Sequence, residues 1–177
     1  VLEVGAVTGR KLQYYQNLLK SQQVDRVVLM DQSDQMLAQA KAKIAALTGD
    51  YAASDQQKRN KFACIEGDAM HLTQLPDHSF DTVVDTFGLC SYNDPVAVLQ
   101  EMARVCKPTG KILLLEHGRS QQWTFVTQHL DQHAEQHAQN WGCVWNRDMD
   151  SLLEQSGLTV ERQQTWHFGT TYHVVCR

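Results

Sequence analysis

The chain opens with VLEVGAVTG at residues 1–9, an apolar strand pattern that carries an acid and runs into a glycine-bearing turn. Such a turn lets the backbone approach a ligand, and it commonly cradles a nucleotide-like group. Asp31 ends the next apolar run, about 20 residues beyond the turn, where a carboxylate can accept hydrogen bonds from ribose hydroxyls. Gly67-Asp68-Ala69 ends a third run and supplies an acid that could meet an adenine amino group. The spacing predicts a site for a nucleoside-bearing ligand.

Val7 stands where such turns normally place a further glycine. A β-branched residue resists a positive φ, and its two methyl groups fill space that glycine leaves open beside the ligand. We therefore expect weakened ligand affinity. Val7→Gly should tighten binding and, through backbone entropy, lower folding stability. In the alternative, Val7 packs in a closed turn and the pocket binds nothing.

Short β-branched runs alternate with helical stretches, which predicts a βαβ series. Apolar residues at successive strand positions indicate a parallel sheet covered on both faces. Ser33, and either Asn93 or Asp94 with Pro95, are typical helix starts. The turn at 108–110 should stop the helix that begins at Pro95, and residues 47–60 are predicted to form a polar surface insertion. The predicted strands are 1–4, 25–31, 61–68, 80–86 and 111–117, and the predicted helices are 10–21, 33–47 and 94–107.

A long helix is expected after His117, followed by a short helix at 147–157 and two strands joined at Gly169. The apolar face of the long helix would comprise Trp123, Val126, Leu130, Ala134 and Trp141. All four tryptophans are expected in the core or in a pocket wall. The histidines at 129, 133 and 137 repeat every four residues, which favours a polar helix face over a metal site.

Composition excludes several classes of function. With 177 residues, 42% hydrophobic residues and a net charge of -4, the chain fits one domain spanning 1–177, with no basic patch for nucleic acid. Five scattered cysteines favour a reducing, intracellular compartment, with Cys64, Cys106 and Cys176 in the core. A strand at residue 1 lacks a covering helix, so we expect a missing N-terminal segment, through which alone a membrane would be contacted.

Four motifs together resemble the class I S-adenosylmethionine-dependent methyltransferases, in particular the methyltransferase type 11 domain. They are VLEVGAVTG, VVLMDQS, EGDAMHLTQLPDHSFDTVV and EMARVCKPTGKILLLEHGR. The likeness is strongest to a branch with methyltransferase-like thiol methyltransferases and Oms-type mitochondrial methyltransferases, and more distant to quinone-biosynthesis methyltransferases. It implies an α/β, Rossmann-like, doubly wound sheet of seven strands in the order 3-2-1-4-5-7-6, with an antiparallel C-terminal hairpin.

The resemblance also implies a cofactor, S-adenosyl-L-methionine, and the residues that bind it. Asp31 with Gln32 would hold the ribose, Asp68 with Ala69 would meet the adenine, and two further groups complete the set. The methionine end would be lined by Glu3, Gly5, Ala6 and Gly9, and the methyl donor would be bordered by Asp85 and Thr86.

These observations predict a methyltransferase acting on a small thiol, quinone-like or lipid-like acceptor. His117, which ends the fifth strand, is the candidate general base, although it could instead bond a loop carbonyl. A mitochondrial location follows from the resemblance alone. The alternative is a degenerate domain that serves as a structural subunit or assembly factor in a larger protein complex.

Overall fold

The computed structural model describes residues 1–48 and 61–177, and within them the chain forms two compact units, Val1–Ala69 and Met70–Arg177. Most of the polar insertion predicted at 47–60 lies outside the described residues. Within residues 1–48 and 61–177, no helix combines the length and the apolar character needed to cross a bilayer.

The first unit alternates strands and helices. It contains β1 (Leu2–Val4), α1 (Leu12–Lys20), β2 (Val27–Asp31), α2 (Asp34–Thr48) and β3 (Phe62–Glu66). The three strands are parallel, and β2 is buried along its whole length, as the apolar pattern predicted. Ser33 starts α2 because its hydroxyl accepts the Met36 N–H at 3.3 Å. Apolar side chains of α1 pack against β2 in the unit's core.

The second unit carries the remaining strands. It contains β4 (Phe80–Thr86), α3 (Pro95–Val105), β5 (Cys106–His117), α4 (Thr124–Trp141), α5 (Met149–Ser156), β6 (Val160–Trp166) and β7 (Thr171–Cys176). β4 and β5 are parallel, whereas β7 is antiparallel to both β5 and β6. The sheet order is β3-β2-β1-β4-β5-β7-β6. The predicted strand order and C-terminal hairpin are confirmed.

The predicted end of α3 is wrong. Asp94 does cap this helix, accepting the Ala97 N–H at 3.0 Å, but the helix ends at Val105, two residues before the predicted end at residue 107, and residues 108–110 lie in β5 rather than in a turn. Cys106 already has an extended ψ of 137°, and β5 begins there. The register passes from Phe80 opposite Cys106 to Thr82 opposite Lys111, so the proline and glycine lie in an irregular stretch of strand.

For three of the four tryptophans, the predicted alternative of a place in the core is wrong. Trp123, Trp141 and Trp166 are 46%, 75% and 47% exposed. No residue of α4 is buried, because its inner face of Val126, Leu130 and Ala134 is only partly covered. Trp145 is partly buried and stacks on His137 with ring centroids 3.9 Å apart.

Cysteines and histidines form no metal centre in the described part of the chain, where no three metal-ligating side chains cluster. His137 directs Nδ1 to the Cys143 carbonyl at 2.9 Å, away from the paired rings of His129 and His133. All five cysteines are free thiols. Cys106 and Cys176 are buried as predicted, whereas Cys64 is only partly buried.

Candidate functional site

The turn after β1 is built from left-handed backbone. Gly5, Val7 and Gly9 have φ of 61°, 49° and 68°. The Ala6 N–H donates to the Met30 carbonyl at 2.9 Å, which joins the turn to the end of β2. A Cβ on Gly9 would lie 2.6 Å from Leu12 Cδ1, so only glycine allows the turn to approach α1 this closely. Glycine at residue 9 is thus favoured by close packing as well as by its φ, and glycine at residue 5 by its φ.

Val7 keeps the left-handed conformation despite its β-branched side chain. Such a residue at positive φ is a conformational outlier. Its N–H donates to Asp31 Oδ2 at 2.8 Å, and this charge-assisted hydrogen bond holds the turn in place. The side chain is 45% exposed, so it does not pack in a closed turn. The valine therefore stands at the surface of the turn, where the sequence predicted crowding of a ligand.

Asp31 joins the ends of two strands to the turn. Its Oδ2 accepts the Val7 N–H at 2.8 Å and its Oδ1 accepts the Ser33 N–H at 2.9 Å. A carboxylate has about four lone-pair positions, so each oxygen retains capacity for one hydroxyl donor. Gln32, beside it, is exposed. These acceptor positions fit the two ribose hydroxyls of a nucleoside, which would donate to them.

Glu3 is fully buried in β1 and forms an ion pair with Lys11, Oε1 to Nζ at 2.7 Å. Burial raises the pKa of Glu3, and the Lys11 charge opposes that rise. Burial and the Glu3 charge likewise raise the pKa of Tyr15. The charge of Glu3, which is predicted to line the methionine end, is thus balanced by Lys11 in the same unit.

Asp68 and Ala69 follow β3 at the same edge. Asp31 is opposite Glu66 in the register, and the Gly67 N–H donates to the Asp31 carbonyl at 3.1 Å. Asp68 is partly exposed, whereas Ala69 is only 6% exposed. The structure therefore brings the predicted ribose and adenine residues to neighbouring strand ends of the first unit.

The second unit carries Asp85 and Thr86 at the end of β4, and Asp85 is fully buried. A Cβ on Gly88 would overlap the Asp85 carboxylate and lie 2.7 Å from Tyr92 Oη, so the loop after β4 closes tightly over this acid. Glycine at residue 88 is thus a steric requirement of the site, which the sequence reading missed.

Glu116 is a further buried acid that the sequence reading missed. It lies in β5, is fully buried, and accepts the Leu89 and Gly88 N–H groups at 3.2 and 3.4 Å. Burial, then the Asp85 charge, raises its pKa well above the ordinary value. The signal was an acid inside the apolar run ILLLEH. This acid positions the loop after β4.

His117 ends β5 and is partly buried. Its ring centroid lies 4.4 Å from that of Phe87, with the planes inclined by 30°. Burial, then the nearby His137, lowers the pKa of His117 below 6.5, so the imidazole is neutral at pH 7. Phe87 has φ of 56° and is 40% exposed. A partly exposed aromatic ring, on a residue with left-handed backbone, thus lies against the candidate base.

These strand ends can be compared with known proteins. A sequence model of the methyltransferase domain matches residues 2–114, well over half of the chain. The chain belongs to this methyltransferase family. The match includes the glycine turn, Asp31, Asp68 and Asp85, and it continues past Ala69, where the first compact unit ends.

Two curated relatives and one solved structure illustrate the family. This methyltransferase chain is 33% identical over 190 residues to "Methyltransferase OMS1, mitochondrial" of Saccharomyces cerevisiae, covering 100% of the chain and 38% of the relative. It is 41% identical over 90 residues to the demethylmenaquinone methyltransferase of Shouchella clausii, covering 51% of the chain and 34% of the relative. The chain thus spans little more than a third of either relative.

The fold is similar to that of a SAM-dependent methyltransferase from Aquifex aeolicus. That comparison has a TM-score of 0.67 at 16% identity and covers 99% of this chain and 79% of the other. At this identity the likeness concerns the fold alone.

Proposed function

We propose that the chain binds S-adenosylmethionine at the carboxyl ends of β1, β2 and β3 and methylates a small, quinone-like acceptor. The observation that carries the proposal is the Asp31 carboxylate, which is bonded to the Val7 and Ser33 amides yet keeps acceptor capacity on both oxygens. When bound, the cofactor supplies an electrophilic methyl group on a sulfonium sulfur.

Each predicted residue has a role in this proposal. Asp31 and Gln32 hold the ribose, and Asp68 and Ala69 receive the adenine. The backbone of the glycine turn accommodates the methionine end. Glu3, which lies close to this turn in the sequence, is held in place by its ion pair with Lys11. The family resemblance assigns Asp85 and Thr86 to the border of the methyl donor. These assignments agree with the left-handed backbone and with the acids at successive strand ends.

His117 is proposed as the base that removes a proton from the acceptor. A lowered pKa keeps its imidazole neutral and able to accept a proton at pH 7. The adjoining Phe87 ring, 40% exposed, offers an aromatic surface that suits a flat acceptor. The name of the Shouchella clausii relative supports a quinone acceptor, and that of the yeast relative supports a mitochondrial location.

The family match continues past Ala69, which supports treating residues 1–177 as one methyltransferase domain. A second candidate function is a structural subunit or assembly factor without cofactor. The observation that favours it is the strained Val7 at the surface of the turn, where its side chain would crowd a ligand.

Transfer of a labelled methyl group distinguishes the two candidates. The chain is incubated with methyl-labelled S-adenosylmethionine and a short-chain naphthoquinol, with a small monothiol and phosphatidylethanolamine vesicles as competing acceptor classes. Label on the naphthoquinol that is lost in Asp31→Ala but kept in Asp34→Ala, an exposed acid of α2, supports the proposal. Label on the thiol or the lipid instead would overturn the acceptor, and no cofactor binding would favour the structural role.

A further inference from the structure

Cys90 and Cys143 lie against each other although 52 residues separate them in the chain. Cys90 is buried in the loop after β4, and Cys143 is partly buried just after α4. The Val144 N–H donates to the Cys90 carbonyl at 2.8 Å, and the Cys90 thiol is near enough to raise the pKa of Cys143. Disulfides need Cα atoms roughly 4.4–6.8 Å apart, and residues that are opposite each other across hydrogen-bonded backbone segments typically have Cα atoms roughly 4.5–5.5 Å apart.

Both thiols sit in loops that the structure holds in place. Cys90 Sγ contacts the Phe87 carbonyl at 3.5 Å and Ser91 Oγ at 3.6 Å. The Cys143 carbonyl accepts a hydrogen bond from His137 Nδ1 at 2.9 Å. The two cysteines therefore lie on segments that a backbone hydrogen bond already joins, so little rearrangement is needed to bring their sulfur atoms together.

The charged groups around the thiols are a cation and an acid. Arg147 donates through Nη2 to the Tyr92 carbonyl at 2.6 Å, while its buried Nε has no hydrogen-bond acceptor among the described residues. Burial, the Cys90 thiol and Glu116 raise the pKa of Cys143 to about 12, and Arg147 opposes this rise. The thiol thus stays protonated at pH 7, with a guanidinium close enough to stabilise the thiolate when it forms.

We propose that Cys90 and Cys143 are a dithiol site that closes reversibly to a disulfide by exchange with a small oxidised disulfide such as glutathione disulfide. The more exposed Cys143 thiolate attacks the glutathione disulfide, forming a mixed disulfide and releasing one glutathione thiol. The Cys90 thiolate then attacks the Cys143 sulfur and releases the second glutathione. The two cysteines lose two electrons, the glutathione disulfide gains them, and both cysteine protons end on the released thiols.

Closure would tie the end of α4 to the loop after β4, the loop whose amides Glu116 binds. Residues 90–143 would become a covalently closed segment, which restricts the unfolded chain more than the folded one. The disulfide should therefore raise the melting temperature by roughly 4–8 °C or more. Formation of the disulfide does not require the proposed methyl transfer.

The test equilibrates the folded chain with mixtures of reduced and oxidised glutathione, blocks free thiols with N-ethylmaleimide, and maps unreduced peptides by mass spectrometry. We expect loss of two hydrogens, a peptide pair linking Cys90 to Cys143, and a rate that rises roughly tenfold per pH unit between pH 7 and 9. Cys90→Ser should instead accumulate a glutathione adduct on Cys143.

Controls separate this site from general thiol oxidation. Cys143→Ser should form no intramolecular link, and Cys64→Ser, which removes a partly buried thiol of β3, should form the link like the parent. Circular dichroism melts establish that each variant is folded. If Cys90→Ser does not fold, Cys143→Ser and the parent still decide the question. A stable glutathione adduct on Cys143 of the parent, or a disulfide between other cysteines, would overturn the proposal.

Discussion

Replacing Val7 by glycine and, separately, by alanine tests whether the turn after β1 is strained. Both changes remove the two methyl groups of a side chain that is 45% exposed, so their difference reports the backbone. At φ of 49° a left-handed residue with a Cβ carries a cost of about 1–2 kcal/mol, which glycine removes. Glycine adds about 0.5–1 kcal/mol of unfolded-state entropy. Val7→Gly should therefore be more stable than Val7→Ala by about 0.5–1 kcal/mol.

The sign of the stability difference between Val7→Gly and Val7→Ala is informative, because a residue in ordinary right-handed or extended backbone would give the opposite sign. In a helix or a strand, glycine is less stable than alanine by about 0.5–1 kcal/mol. Urea denaturation of both variants at one pH measures the difference. The sequence alone predicted a loss of stability for Val7→Gly, because it could not provide φ. A glycine variant that is less stable than the alanine variant would refute the left-handed assignment.

The same pair of variants tests crowding of the cofactor. Relief of crowding should tighten S-adenosylmethionine binding to Val7→Gly by about 1–2 kcal/mol, or roughly 5- to 30-fold. Val7→Ala should recover much of this gain if the methyl groups are responsible, and little if the backbone strain is. Calorimetric titration of the three proteins separates these cases. A glycine variant that binds more weakly than the parent would mean that the valine contacts the ligand favourably.

Three further substitutions test the acids and the base. Asp31→Ala should weaken cofactor binding by about 2–3 kcal/mol, some 30- to 150-fold, as measured by calorimetry. It should also lower the free energy of unfolding by about 2 kcal/mol in urea denaturation, because two backbone amides lose their acceptor. Asp34→Ala should change neither quantity. Glu116→Gln should have a larger free energy of unfolding than the parent at pH 8, and the difference between the two proteins should narrow toward pH 4.5. The raised pKa of Glu116 means that the native state favours the protonated carboxyl, so the parent loses stability as the pH rises. His117→Ala should lower turnover by a factor of about 10²–10⁴ with little change in cofactor affinity. The lowered pKa of His117 disfavours the charged imidazole in the native state, so the parent should lose stability below about pH 6.5 more steeply than His117→Gln. Equal losses of turnover and affinity, or parallel pH profiles, would contradict the role given to the histidine.

Local sequence chemistry predicted most element boundaries because caps act within one turn. Ser33 and Asp94 each accept a hydrogen bond from an amide three residues further on, and both residues can be recognised in the sequence. The proline and glycine at 108–110 misled the assignment, because both residues are common in turns and in irregular strands alike. The strand order came from the family resemblance, since periodicity does not determine which strands pair.

The positions of the site residues could be predicted, but their partners could not. Acids directly after strands are recognisable by their place, and Asp31 and Asp68 lie at adjacent strand ends. Whether Lys11 can reach and neutralise Glu3 depends on the position of the start of α1 in the folded unit, which the sequence pattern does not provide. Glu116 was hidden because an acid within an apolar strand has no local signature of its partners. The exposure of the tryptophans likewise depends on how much surface supports α4, which helical periodicity does not contain.

The central claim is that the first unit binds S-adenosylmethionine through Asp31 and the glycine turn, and calorimetric titration of the cofactor into the chain tests it most directly. We predict saturable one-to-one binding to the parent protein, with affinity weakened some 30- to 150-fold in Asp31→Ala and unchanged in Asp34→Ala. Thermal melts with and without cofactor provide the matching shift in stability. Binding that is absent in both the parent and Val7→Gly, with all proteins folded, would contradict the claim and favour the structural role.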